Sequence, residues 1–216
     1  MTGHFPVILS SPSGGGKTTI AKELLRRRND VGYSVSATTR AARPGEIDGV
    51  DYHFVTAGEF EAAREKGEFA ESAEVHGRMY GTLKREVDRV LSSGKHVVMD
   101  IDVQGARQFV SAYPESVLIF IVPPDARILL SRLDARGTES PESLARRMRS
   151  AIEELRDVDL YGYLVVNEDL EEAVRAVSTI IDGESFRLSR MDQARSRIGA
   201  MVTDLESELN KMNRRE

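Results

Sequence analysis

Val7-Ile8-Leu9-Ser10-Ser11-Pro12-Ser13-Gly14-Gly15-Gly16-Lys17-Thr18-Thr19 decides the reading of this chain. A short β-branched run feeds directly into a glycine-rich turn ending in Lys-Thr, and a helical apolar pattern (Ile20, Leu24, Leu25) follows it. Three consecutive glycines allow backbone angles closed to other residues, so successive N–H groups can converge on phosphate oxygens. The helix that begins near Lys17 adds its positive dipole end. Lys17 supplies a point charge for β- and γ-phosphates, and Thr18 offers a hydroxyl to Mg²⁺. The pattern G-x-x-x-x-G-K-[ST] is met except at its first position, which holds Ser11. The strand–loop–helix setting is the one such a loop requires, so the chain is read as holding a nucleotide by its phosphates.

At 216 residues the chain fits one domain with small insertions. With 40% hydrophobic and 30% charged residues it falls among soluble globular proteins. The longest apolar run, Val117 to Val122, stops at Pro123-Pro124, too short to span a membrane. No basic-then-apolar N-terminal pattern suggests a secretory signal. The absence of cysteine excludes disulfides and thiolate metal sites and fits a reducing, cytoplasmic location. His4, His53, His76 and His96 are too scattered for a metal cluster. A net charge of −5 argues against broad nucleic-acid binding, so any anion site must be local.

Apolar runs of strand length alternate with helical periodicity, which predicts an α/β fold: a parallel sheet covered by helices. Strands are expected at Phe5–Ser10, Gly32–Ser36, His96–Ile101, Val117–Val122 and Tyr163–Val166, and helices at Lys17–Arg28, Pro124–Arg136, Pro141–Asp157 and Leu170–Asp182. Ser140 before Pro141 reads as an N-cap. From about Ala37 to Leu91 the rhythm breaks. Turn signals surround Tyr52-His53-Phe54-Val55, and helical stretches fall near Glu59–Lys66 and Leu83–Leu91, the first with a capping box in Thr56 and Glu59. This segment reads as a lobe inserted over the carboxyl edge of the sheet, where open α/β folds bind ligands. The expected division is a core of residues 1–36 and 92–182, with a lid at about 132–147; a lobe at 37–91; and a C-terminal amphipathic helix at 183–216. In that helix Met191, Ile198, Leu205 and Met212 recur every seven residues, with Ala194, Met201 and Leu209 near the companion positions. The stripe could cover its own domain or join a homo-oligomer, and Glu208 interrupts a clean coiled coil.

A second phosphate site is suggested by Ser36-Ala-Thr-Thr-Arg40-Ala-Ala-Arg43-Pro-Gly-Glu46. Arg40 and Arg43 carry planar forks that take two phosphate oxygens each, and Tyr52 and Tyr80 can add phenolic hydroxyls. Asp100 ends a hydrophobic run, the arrangement that steers Mg²⁺ in phosphate-loop enzymes. Arg132, Arg136 and Arg147 fall in a lid-like segment where they could neutralise charge on a transferring group. Asn167, after the last strand, is a candidate wall of the adenine pocket.

Taken together, Ser11–Thr19, Ser36–Glu46, Asp48–Tyr52, Glu68–Glu71, Met79–Thr82, Asp100–Gly105 and Arg136–Glu139 resemble guanylate kinase, in order from about Pro6 to Asp182. Phe186–Arg190 looks like the bacterial form. The resemblance implies a phosphate-loop kinase fold and phosphoryl transfer from ATP to GMP, with dGMP as a further acceptor and Mg²⁺ as cofactor. It implies that Arg40, Arg43, Tyr52 and Tyr80 grip the GMP phosphate and that Ser36, Glu71, Thr82 and Asp102 surround guanine. ATP would rest on Ser11, Pro12, Ser13, Gly14, Gly15, Gly16, Lys17, Thr18, Thr19 and Asn167. Guanine chemistry agrees: N1–H and the N2 amino group are donors that carboxylates accept, whereas adenine N1 is a lone pair. The rival expectations are a kinase of another phosphorylated acceptor and a guanylate-kinase-like protein-binding module without catalysis.

Overall fold

A computed structural model describes residues 3–75, 77–134 and 141–213. In chain order the strands are β1 (Pro6–Ser10), β2 (Val31–Tyr33), β3 (Ala37–Thr38), β4 (His53–Phe54), β5 (Phe69–Val75), β6 (Arg78–Leu83), β7 (His96–Asp100), β8 (Val117–Val122) and β9 (Tyr163–Val166). The helices are α1 (Lys17–Arg27), α2 (Ala57–Glu65), α3 (Lys84–Ser92), α4 (Val103–Ala112), α5 (Ala126–Asp134), α6 (Pro141–Arg156), α7 (Leu170–Ser185) and α8 (Asp192–Asn213). The chain forms two compact units, a larger one at His4–Ser178 and a smaller one made of the residues on either side of it.

The larger unit contains a parallel five-stranded sheet in the order β2-β7-β1-β8-β9. Its strands read V-I-L and V-L-I-F-I-V without polar alternation because helices cover both faces. Val7, Ile8, Leu9, Val97, Val98, Ile119, Phe120 and Ile121 are wholly buried. The register pairs Leu9 with Asp100 and Ser10 with Phe120. The end of β1, where the glycine loop departs, therefore lies beside Asp100, at the carboxyl edge that binds ligands in such sheets.

A second, four-stranded sheet, β4-β3-β6-β5, is built entirely from the inserted segment. Phe60, Ala37 and Leu83 are buried beneath it, with Phe69 stacked on Phe60. α2 starts on Thr56, whose side chain accepts from Glu59 N–H while the Glu59 carboxylate accepts from Thr56 N–H. Two expected boundaries are corrected here. The strand read as Gly32–Ser36 ends at Tyr33, because Ser36 O already accepts from His53 N–H as the chain crosses to the second sheet. The helix read from Pro124 begins at Ala126, because Asp125 accepts from Ile128 N–H at 2.7 Å.

In the smaller unit the C-terminal stretch is not one helix. α7 runs to Ser185, a 3₁₀ turn follows at Leu188–Arg190, and α8 begins at Asp192. Arg190 is buried against Glu184 at 3.0 Å, and its carbonyl accepts from Gly3 N–H. Among the described residues no helix is long and apolar enough to cross a membrane.

Candidate functional site

The glycine loop uses its glycines where a side chain could not go. Gly14 (φ 83°) and Gly16 (φ 98°) are left-handed. A Cβ at Gly16 would overlap the Asn167 amide. Gly15 N–H closes a turn on Pro12 O at 2.8 Å. Ser11, in place of the usual first glycine, fits because it is buried with its hydroxyl donating to Pro12 O at 3.0 Å. Among the described residues the amides of Gly14, Gly16, Lys17, Thr18 and Thr19 have no protein acceptor, which leaves a row of donors at a helix N-terminus.

Three distant side chains hold this loop. Asn167 is 7% exposed, and its Nδ2 donates to Gly15 O at 2.9 Å. Its own carbonyl accepts from Arg132 Nη2 at 3.1 Å. The Asn167 amide thus braces the loop backbone. From α6, Glu154 Oε2 accepts from Ser13 N–H at 3.2 Å, and Arg147 donates to Ser13 Oγ at 3.2 Å and to Leu133 O at 2.6 Å. Burial pushes the Glu154 carboxyl up, while the Ser13 N–H and the nearby Lys17 charge pull it back. Arg136 lies outside the described residues, as does Ser140.

Thr18 and Asp100, each named from the sequence as a candidate for the metal, meet in the structure. Thr18 Oγ1 donates to Asp100 Oδ2 at 2.5 Å, and Tyr33 OH donates to Asp100 Oδ1 at 3.1 Å. A hydroxyl and one carboxylate are hard oxygen donors. They suit Mg²⁺, which is bound through one or two protein oxygens with the remainder from phosphate and water. Among the described residues no group of three or more His, Cys, Asp or Glu could hold a metal by itself.

Thr18 and Asp100 open onto a cleft of about 530 Å³, also lined by Tyr33, Ser36, Glu46, Tyr52, Glu71, Tyr80 and Asp102. At one end the Arg40 fork binds Glu46 through Nη1 (2.9 Å) and Nη2 (2.8 Å), and Arg40 Nη1 also donates to Ala41 O at 2.7 Å. The Arg40 guanidinium lies 5.3 Å from the Tyr52 ring centre, and Tyr52 and Tyr80 meet edge-on at 6.0 Å. The Arg40 bond, then the Arg43 N–H, hold the Glu46 carboxyl down at about 2. The Arg43 side chain is exposed and does not line the cleft.

At the other end Glu71, on β5, is buried and accepts from the Thr82 hydroxyl on β6 at 2.6 Å. Asp102 caps α4, its Oδ1 accepting from Gly105 N–H at 2.7 Å. Gly105 is the floor between the two acids: a Cβ there would lie 3.1 Å from Glu71 Oε2 and 3.3 Å from Asp102 Oδ1. Burial pushes the Glu71 carboxyl up to about 6, the Thr82 hydrogen bond opposes this, and the Asp102 charge adds to it. A buried polar slot with two acid acceptors can take a base edge that carries two adjacent donors.

Of the residues read from the sequence, Lys17 and Thr18 lie in the loop, Thr18, Ser36, Tyr52, Glu71, Tyr80, Asp100 and Asp102 line the cleft, and Arg40 and Thr82 stand behind its wall, hydrogen-bonded to Glu46 and Glu71. Glu46, Tyr33, Glu154 and Gly105 have parts there that sequence reading did not assign. Only Glu46 and Gly105 had a signal, since both lie within the quoted motifs.

A family model for guanylate kinase matches residues 4–184. The guanylate kinase of Clostridium perfringens strain SM101 is 44% identical over 187 residues, covering 87% of this chain and 87% of that protein. That of Thermotoga maritima is 45% identical over 183 residues, covering 85% and 88%. The crystal structure of guanylate kinase from Anaplasma phagocytophilum superposes with a TM-score of 0.70 at 34% identity, covering 88% of this chain and 90% of that one.

Proposed function

The chain belongs to the guanylate kinase family, and from that membership we propose how its own residues carry out phosphoryl transfer from ATP to GMP. The ATP phosphates rest on the amides of Gly14 and of Gly16 to Thr19 and on the Lys17 side chain, within a core of residues 1–36 and 92–182. GMP enters the cleft under the lobe of residues 37–91, its phosphate on Arg40, Tyr52 and Tyr80 and its base between Glu71, Thr82, Asp102 and Ser36. Arg43, exposed and not part of the cleft wall, is assigned to the same phosphate from the motif it shares with Arg40. Thr18 and Asp100 would hold Mg²⁺, which when bound screens charge on the ATP phosphates.

No general base is required. The attacking GMP phosphate has a second pKa of about 6 and is largely ionised at neutral pH. Catalysis therefore rests on bringing two anions into line and offsetting their repulsion. Lys17 stabilises charge on the transferring group, and Arg132 and Arg147, close to Gly14 and Ser13, add positive charge from the segment at about 132–147. Arg136 belongs to the same segment by sequence. dGMP is a further acceptor, because the base and phosphate contacts do not depend on the 2′ position. The absence of cysteine supports a cytoplasmic location.

The observation that carries this reading is the buried Glu71–Thr82 pair beside Asp102, in the same cleft as Thr18 and Asp100. Acceptors buried this way reject a base that presents a lone pair, by factors of roughly 10⁴ or more in favourable cases. The test is phosphate transfer from ATP to each nucleoside monophosphate. GMP at least about tenfold better than AMP, CMP and UMP is expected; equal rates would remove the reading.

A further inference from the structure

Phosphoryl transfer leaves one large feature unused, the 22-residue helix α8, which has no buried residue. Ile198, Met201, Val202, Leu205, Leu209 and Met212 stand 49–68% exposed along it. A helix whose apolar stripe faces water gains nothing from that stripe, and most helical stability in proteins comes from packing such a face.

The charges indicate what covers it. With Ile198, Leu205 and Met212 at the first position of a heptad, Met201 and Glu208 fall at the fourth and Arg197, Asp204 and Lys211 at the seventh. Two parallel copies would set Glu208 against itself across the seam, with Arg197 opposite Val202 and Asp204 opposite Leu209, so no flanking pair has opposite signs. Antiparallel pairing has discrete registers. One centred between Gly199 and Ala200 layers Ile198 on Met201 and Ala194 on Leu205, and it sets Arg197 opposite Asp204 twice. Glu208 then lies at the end of the overlap, where water reaches it. The next register sets Arg197 against Lys211 and Asp204 against its own copy, both repulsive.

We infer that α8 is an interaction surface for a second copy of this chain, paired antiparallel about a two-fold axis at Gly199–Ala200, with Arg197 of each copy opposite Asp204 of the other. The contact is self-complementary, as a two-fold interface requires.

The full-length protein is tested by sedimentation equilibrium from about 1 to 100 μM, a range that brackets the affinity expected of a marginal three-heptad seam. A two-copy mass is expected. Leu205→Glu should give a single copy with kcat retained. Arg197→Asp or Asp204→Arg alone turns two attractive contacts into two repulsive ones and should weaken the pair about tenfold. The double exchange should return it to within about threefold of the parent. A single-copy mass at the highest concentration overturns the inference. So does a two-copy mass untouched by Leu205→Glu, or a double exchange that fails to recover what each single change lost.

Discussion

Replacing Glu71 by Gln should make the free protein more stable and its grip on GMP weaker. Glu71 is 8% exposed, and burial raises its carboxyl to about 6 against an ordinary value of 4.5. A gap of about 1.5 units corresponds to roughly 2 kcal/mol of disfavour toward the charged form in the folded state. The sign follows from where each state ionises. Below about pH 4 the group is protonated whether folded or not, and it costs nothing. As pH rises from there, the unfolded chain ionises first, so the folded state loses stability until about pH 6, above which the full penalty remains. Gln carries no charge to desolvate, yet its side-chain oxygen can still accept from Thr82 Oγ1, whose present partner is Glu71 Oε1 at 2.6 Å. At pH 7.5 the variant should gain up to about 2 kcal/mol, a rise of roughly 4–8 °C in midpoint for a chain of this size. At pH 4 the two proteins should melt within about a degree of each other. GMP binding moves the other way, because a charge-assisted acceptor for the guanine donors is gone; a loss of about 10–100-fold in affinity is expected. Thermal melts at both pH values and GMP titration by calorimetry measure all three quantities. Equal midpoints at pH 7.5, or undiminished GMP affinity, would refute the account of the slot.

Lys17→Ala should leave the melting midpoint within a few degrees and lower kcat/KM by on the order of 10² to 10³, read in a coupled ADP assay. Asn167→Ala removes the brace on Gly15 O and a buried amide; a stability loss of about 1–2 kcal/mol is expected, with KM for ATP rising while KM for GMP holds. Tyr33→Phe deletes the hydroxyl on Asp100 Oδ1, and should raise the Mg²⁺ concentration needed for half-maximal ATP binding a few-fold while metal-free ATP binds as before.

What could be read in advance was whatever the chain encodes over short distances. The loop from Ser11 to Thr19 announces itself because a strand end, three glycines and Lys-Thr must be contiguous to make a cradle. Four of the five core strands carry apolar runs, whereas β2, Val-Gly-Tyr, does not, and its expected bounds were displaced accordingly. Strand β5 was not legible, since Phe-Ala-Glu-Ser-Ala-Glu-Val holds two acids. One of them, Glu71, is buried by the site and not by the core. α4 was hidden for a related reason: its N-cap, Asp102, had already been given a ligand role, and the same carboxylate both caps the helix and lines the cleft. Asn167 reaches Gly15 across 152 positions, Glu154 reaches Ser13 across 141, and Tyr33 reaches Asp100 across 67. No local spacing rule links such pairs; they follow only from the order in which the parallel strands are laid side by side.

One pattern joins these contacts. Three groups proposed to bind phosphate or its metal are each tied to a carboxylate of the chain: Arg40 to Glu46, Thr18 to Asp100, and the loop at Ser13 to Glu154. In a protein of net charge −5 these acids cannot serve to attract polyanions. They act on orientation. An unrestrained arginine gives up about 2 kcal/mol of rotamer freedom when it grips a ligand. Arg40, already clamped by Glu46, Ala41 O and the face of Tyr52, has surrendered most of that freedom on folding. Glu46 can be a neighbour of the incoming phosphate because its carboxyl, held near 2, remains a partner for Arg40 at any pH at which the protein works. The repulsion it adds is shared with Arg40, Tyr52 and Tyr80, whereas the fixed fork is gained in full. Catalysis here depends on aligning two anions, so a site that spends some attraction on rigid geometry is the better kinase.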